Sequence, residues 1–106
     1  MITIEEFKKL NLQVATITGV QPHPNADRLY LVEVDLGAEK RQLVAGIRQA
    51  YTPEELIGKQ VVVVENMAPA VIRGVESRGM ILAAQGKERI VIVTQEKPVE
   101  PGSVVK

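Results

Sequence analysis

Thr52-Pro53-Glu54-Glu55-Leu56-Ile57-Gly58-Lys59-Gln60-Val61-Val62-Val63-Val64-Glu65 packs a helix start, a stop and a strand into one short stretch. Thr52 is a capping residue, Pro53 suits the first helical position, and Glu55 stands three residues after the cap. Gly58 then ends the helix almost at once. Four consecutive valines follow, and Gln60 to Glu65 reads as a central strand buried on both faces.

Three strands precede this stretch. Residues 12 to 20 place Leu12, Val14, Ala15, Ile17 and Val20 among polar neighbours, which predicts a first strand. Pro22 and Pro24 lack ladder donors, so they end it and open a loop. Leu29 to Leu36 is a second strand, closed by Gly37. Ala38-Glu39 connects it tightly to Lys40 to Ala45, so these two runs should form a hairpin. Upstream, Thr3-Ile4-Glu5-Glu6 is a second capping box, and Ile4, Phe7 and Leu10 follow at helical spacing. Downstream, residues 67 to 77 read as a long loop and Gly79 to Ala84 as a fifth strand. Arg89 to Thr94 reads as a sixth, with a short last strand, Ser103 to Val105, after the Pro101-Gly102 turn. Strand, strand, strand, short helix, strand, strand is the order of an OB-fold. The expected class is therefore all-β: a five-stranded barrel with a short helix between strands three and four, a short N-terminal helix and a C-terminal β extension.

With 106 residues the chain should form one domain, 1–106, with residues 86–106 extending past the fifth strand. Tyr30, Tyr51 and Phe7 are its only aromatics. That is too few to stack successive bases along a single strand. No Cys is present, which excludes disulfides and thiolate metal sites. No apolar run is long enough to span a membrane, and the acidic N-terminus is unlike a signal peptide, so a cytoplasmic protein without membrane contact is expected. Net charge is zero, but residues 1 to 39 sum to minus three and residues 40 to 106 to plus three. A basic face must therefore be assembled by folding. Phosphate-binding glycine loops and metal-ligand spacings are absent. His23 is the only histidine and has no nucleophile in an identifiable motif. Between two prolines it is expected to pack in a loop. No cofactor and no catalysis are expected.

Two motifs fall in breaks between the apolar runs: Pro22-His23-Pro24-Asn25-Ala26-Asp27-Arg28-Leu29 and Arg73-Gly74-Val75-Glu76-Ser77-Arg78-Gly79-Met80. By chemistry alone the first is a turn ordered by Asn and Asp, and the second a loop entering a strand. Together they resemble the tRNA-binding domain found as a C-terminal module or separate subunit of methionyl-tRNA synthetases, and as free-standing small tRNA-binding proteins. The resemblance covers nearly the whole chain. In that family the Ser and Met of the Ser-x-Gly-Met motif lie at the tRNA-binding surface. The tRNA-binding residues it implies here are Asn25, Arg28, Arg73, Ser77, Arg78 and Met80. Arg28, Arg73 and Arg78 would contact the backbone, and Asn25, Ser77 and Met80 ribose or exposed bases. Asp27 would order its loop, and Gly79 would allow close backbone approach. Asn66-Met67-Ala68-Pro69-Ala70-Val71 matches the family's Asn-Leu-x-Pro loop in part. Relatives often carry lysines at Ala68 and Val71, so fewer phosphate contacts are expected. Arg41, Arg48 and Lys59 either compensate or are solvated surface.

The resemblance implies structure-selective, largely sequence-independent tRNA binding, with the synthetase catalytic subunit as a partner. It also implies a homodimer formed through residues 86–106, whose alternative role is to cap the barrel. A homologous group of dimeric, secretion-related chaperones shares the barrel and binds peptides. Zero net charge favours that alternative, and the two motifs favour tRNA. A third reading is an assembly subunit that joins two synthetase chains.

Overall fold

In the computed structural model, which describes residues 1–106, the valine run forms a strand with every valine buried. The elements are α1 (Ile4–Phe7), β1 (Leu12–Pro22), β2 (Tyr30–Asp35), β3 (Lys40–Ala45), α2 (Pro53–Leu56), β4 (Gln60–Val64), β5 (Ala70–Ile72), β6 (Val75–Ser77), β7 (Met80–Ile81), β8 (Ala83–Gln85), β9 (Ile90–Ile92) and β10 (Val104–Val105). Both capping boxes form as expected, with Thr3 and Thr52 each accepting from the amide three residues on.

The main sheet runs β3-β2-β1-β4-β7, all antiparallel. β1 is long because it serves two partners. Leu12 to Thr16 pairs with β4, and Thr16 to Pro22 pairs with β2. The register slips between Ile17 and Gly19, and such a bulge bends the strand and curls the sheet. The curl brings the far edge back to β3, where the Arg78 amide donates to the Gln42 carbonyl at 3.0 Å. The result is the expected five-stranded OB-like barrel, nearly closed.

Alternation along β1 to β4 fills this barrel with Ala15, Ile17, Val32, Val34, Leu43, Val61 and Val63, and Leu56 of α2 plugs one end. Each buried Val, Leu or Ile among them contributes about 1.5–3 kcal/mol of hydrophobic stabilisation. Val62 and Val64 point the other way and join Leu12 in a second cluster, covered by Phe7, Leu82 and Val105. This outer cover is why β4 tolerates valine on both faces.

Two expectations need correction. The long loop at 67–77 contains a hairpin, β5–β6, turning at Arg73 and Gly74 with φ of 52° and 89°. Its two-residue loop belongs to the positive-φ class usually marked by Asn-Gly. Arg in the first position hid the signal. The fifth strand is also split: β7 pairs with β4 and β8 with β9. At the break Leu82 donates to the Val62 carbonyl and accepts from the Val93 amide, switching partners between the two ladders.

The C-terminal extension partly caps its own barrel. Ile92 is buried in the main core and Ile90 packs on it, while β10 pairs with β1. The turn before β10 lies hard against the β2–β3 turn. A Cβ on Gly102 would fall 2.4 Å from the Leu36 carbonyl oxygen. Val91, Val93, Val99 and Val104 remain exposed.

Candidate functional site

The two sequence motifs meet at one end of the barrel, and His23 joins them. It is 3% exposed. Its Nδ1 accepts from the Asn25 amide at 2.9 Å, which leaves the ring proton on Nε2 to be donated to the Ile72 carbonyl at 3.0 Å. One imidazole thus ties the β1–β2 loop to the β5–β6 hairpin, as the packing role expected of it requires. Asn25 and Arg73 reinforce the link. The Asn25 side-chain amide donates to the Arg73 carbonyl at 3.3 Å, and the Arg73 guanidinium donates to the Asn25 backbone carbonyl at 3.2 Å. Both side chains are exposed but turned toward each other. Arg48, on the segment after β3, donates to the Ala26 carbonyl at 3.1 Å and steadies the loop from below.

Beside this clasp, a groove of about 520 Å³ crosses the outer face of β1, β2 and β3. Gln21, Glu33, Lys40, Gln42 and Arg78 supply its polar lining. Outward-facing polar residues of these strands could have been found from their alternation. Arg78 is exposed and has no carboxylate within ion-pairing distance. Lys40 lies 3.9 Å from Glu33 in an exposed pair, which holds it only weakly.

Arg41 also borders the groove but is committed elsewhere. Its guanidinium bonds the Glu65 carboxylate at 2.7 Å, the Glu65 carbonyl at 2.7 Å, and Glu39. Burial works against its charge, but hydrogen bonds to Glu39 and Glu65 outweigh that and hold its pKa above the ordinary value. The same hydrogen bond, aided by the Arg41 charge, holds the Glu39 carboxyl below the ordinary range.

Ser77 was expected at the surface and is instead inside, 3% exposed. Its hydroxyl accepts from the Val44 amide at 2.9 Å and donates to the Gly79 carbonyl at 3.1 Å. The barrel is almost closed at this point, and β3 has an amide there that no strand partner satisfies. Gly79 is likewise structural. At φ 133°, a Cβ would sit 3.1–3.3 Å from Leu43, Val64 and Val63 atoms, so the close approach it allows is to the core. Met80 is exposed and pairs with Val64, which puts it on the side of the sheet carrying the outer apolar cluster. Arg28 is exposed and lines a separate cleft that Arg89 also borders. Ala68 and Val71 are exposed, so lysines there would have reached solvent.

Tyr30 is buried, and its hydroxyl donates to the Tyr51 carbonyl at 2.7 Å. The Tyr51 hydroxyl accepts from the Ile92 amide at 3.1 Å. The tyrosine hydroxyls thus serve the framework, and the polar groups lining the groove are charged side chains and amides. No group of three or more His, Cys, Asp or Glu residues could hold a metal ion. No helix is long and apolar enough to cross a membrane.

A family model described as "Putative tRNA binding domain" matches residues 12–104. The methionine–tRNA ligase of Thermococcus kodakarensis is 50% identical over 105 residues, which cover 99% of this chain and 14% of that protein. The chain therefore spans only about a seventh of the length of such relatives. The structure of a MetRS related protein from Pyrococcus horikoshii aligns at TM-score 0.93 and 30% identity, covering 100% of this chain and 98% of that one. The chaperone CsaA from Bacillus anthracis aligns at TM-score 0.91 and 28% identity, covering 100% and 99%.

Proposed function

The chain belongs to the tRNA-binding domain family, and from that membership we propose that it binds tRNA by shape, with little dependence on sequence. The observation that carries the proposal is the groove over β1–β3. Its free cation, Arg78, projects from a backbone fixed by Ser77 and Gln42, and amide side chains surround it. Backbone phosphate and 2′-hydroxyl groups are the ligands such a lining suits. Asn25 and Arg73 act as a unit across the two loops, with Arg73 meeting phosphate, while Ser77 works by positioning Arg78.

As a C-terminal module, a separate subunit or a free-standing protein, the chain would hold tRNA for a synthetase catalytic subunit, raising effective concentration without chemistry of its own. Its place would be the cytoplasm, with protein synthesis. We also propose a two-fold dimer. Ile4 and Leu10 flank Phe7 beside the outer apolar cluster and are exposed, as is Met80. With the exposed valines of the extension they offer a self-complementary apolar surface.

The likeness to the CsaA chaperone supports a second reading, in which the dimer binds protein. Titration of tRNA at low and raised salt separates the two. Phosphate binding falls steeply with salt, and apolar peptide binding does not. Salt-sensitive binding that a tRNA of different sequence competes for supports the tRNA role. An absence of binding at low salt supports the protein-binding role.

A further inference from the structure

A second cleft, of about 350 Å³, opens beside the β1–β2 loop between the segment after β3 and the β8–β9 hairpin. Arg28, Gln49, Gln85, Glu88 and Arg89 line it, with Gly46 leaving one wall without a side chain. Arg28 enters from the loop and Arg89 from the hairpin, residues far apart in sequence.

Their backbones are anchored and their side chains are not. The Arg28 carbonyl accepts from the Arg48 amide, and the Arg89 carbonyl accepts from the Gly86 amide at 2.8 Å. Ile90, the next residue, packs on the main core. Neither guanidinium makes a hydrogen bond or an ion pair within the chain. Glu88 stands in the same cleft, yet no cation lies within ion-pairing distance of it. Unpaired guanidiniums on fixed backbones around one cleft are arranged for an external anion, and their forked geometry matches phosphate oxygens. Gln49 makes no side-chain hydrogen bond, so its amide is free for a ribose hydroxyl.

The groove and the cleft open beside one loop. Gln21 and Leu31, at its two ends, line the groove, and Arg28, near its C-terminal end, lines the cleft. A strand of RNA leaving the groove would pass the loop and reach the cleft. We propose that the Arg28–Arg89 cleft is a second anchor for the tRNA backbone, taking a phosphodiester and its ribose, with Arg89 as a contact residue. This rests on the tRNA-binding role proposed above.

The test is tRNA affinity across a salt series for the unaltered chain, Arg78→Ala, Arg89→Ala, Arg89→Lys and Glu88→Gln, with thermal melts as a folding control. Losing one phosphate contact should make the slope of log affinity against log salt shallower by about one. Arg89→Ala should show that change at unaltered melting temperature, Arg89→Lys should regain most of the slope, and Glu88→Gln should tighten binding. If Arg78→Ala weakens binding while the Arg89 and Glu88 variants match the unaltered chain, the cleft is not an anchor and the groove stands alone. If no variant changes a salt-sensitive affinity, the groove and the cleft both fall as sites while the tRNA-binding role stands; if tRNA does not bind, that role falls and the anchor with it.

Discussion

Arg41 and Arg78 border the same groove, but only Arg78 is free to meet a ligand. Arg78→Ala should therefore weaken tRNA binding and leave the melting temperature nearly unchanged. Ser77→Ala should do the reverse at first hand. It strips the Val44 amide of its acceptor, at a cost of about 1–3 kcal/mol in denaturant melts, and weakens binding only through the loosened Arg78. Gly79→Ala should destabilise by about 1–3 kcal/mol, since Leu43, Val63 and a carbonyl of β4 must all yield. Glu39 carries a pH signature. Its folded pKa lies below the ordinary value, so its stabilising effect is present above the carboxylate range and lost as pH falls through it. The stability gap between the unaltered chain and Glu39→Gln should be widest at neutral pH and close as pH falls through the lowered folded pKa of Glu39.

Short elements here depend on local chemistry at their ends. α2 is a single turn held by its capping box. Thr52→Ala should cost about 1 kcal/mol and loosen Leu56, the plug at the end of the barrel. The β5–β6 hairpin offers a sharper separation. Arg73 sits at φ 52°, where Asn is better tolerated than Arg. Arg73→Asn should hold or slightly raise stability while making the salt dependence of tRNA binding shallower, so melts and titrations should move apart. If the two fall together, Arg73 serves the hairpin rather than the ligand.

For the whole molecule, the outer apolar cluster matters most. α1 covers it with Phe7, while Ile4, Leu10 and Met80 stay exposed around that cover. Sedimentation should find a dimer, and Leu10→Glu should shift it toward monomer with little change in the fold. An unaltered monomeric state in both proteins would remove the dimer from the proposal. Two-fold pairing would double the grooves and clefts available to one folded RNA.

The strand order, both capping boxes and the strand buried on both faces were legible in sequence, because alternation, caps and prolines act locally. The motif loops were legible too, through Pro22, Pro24 and Gly74. The clasp was not. His23 bonds Ile72, and Asn25 bonds Arg73, across nearly fifty residues, and no periodicity records such a pairing. Nor could charge alone separate Arg41 from Arg78, because the difference is completed by Glu65, which the fold brings from the end of β4 to join Glu39 two residues away. Ser77 turned inward because the barrel does not quite close there and the Val44 amide needed an acceptor. By itself the sequence determined the elements and their order, since those follow from each residue's own geometry and hydropathy. Only the tertiary structure decided which polar groups stay free for a ligand, because a buried donor or charge must find its partner wherever the fold brings one near.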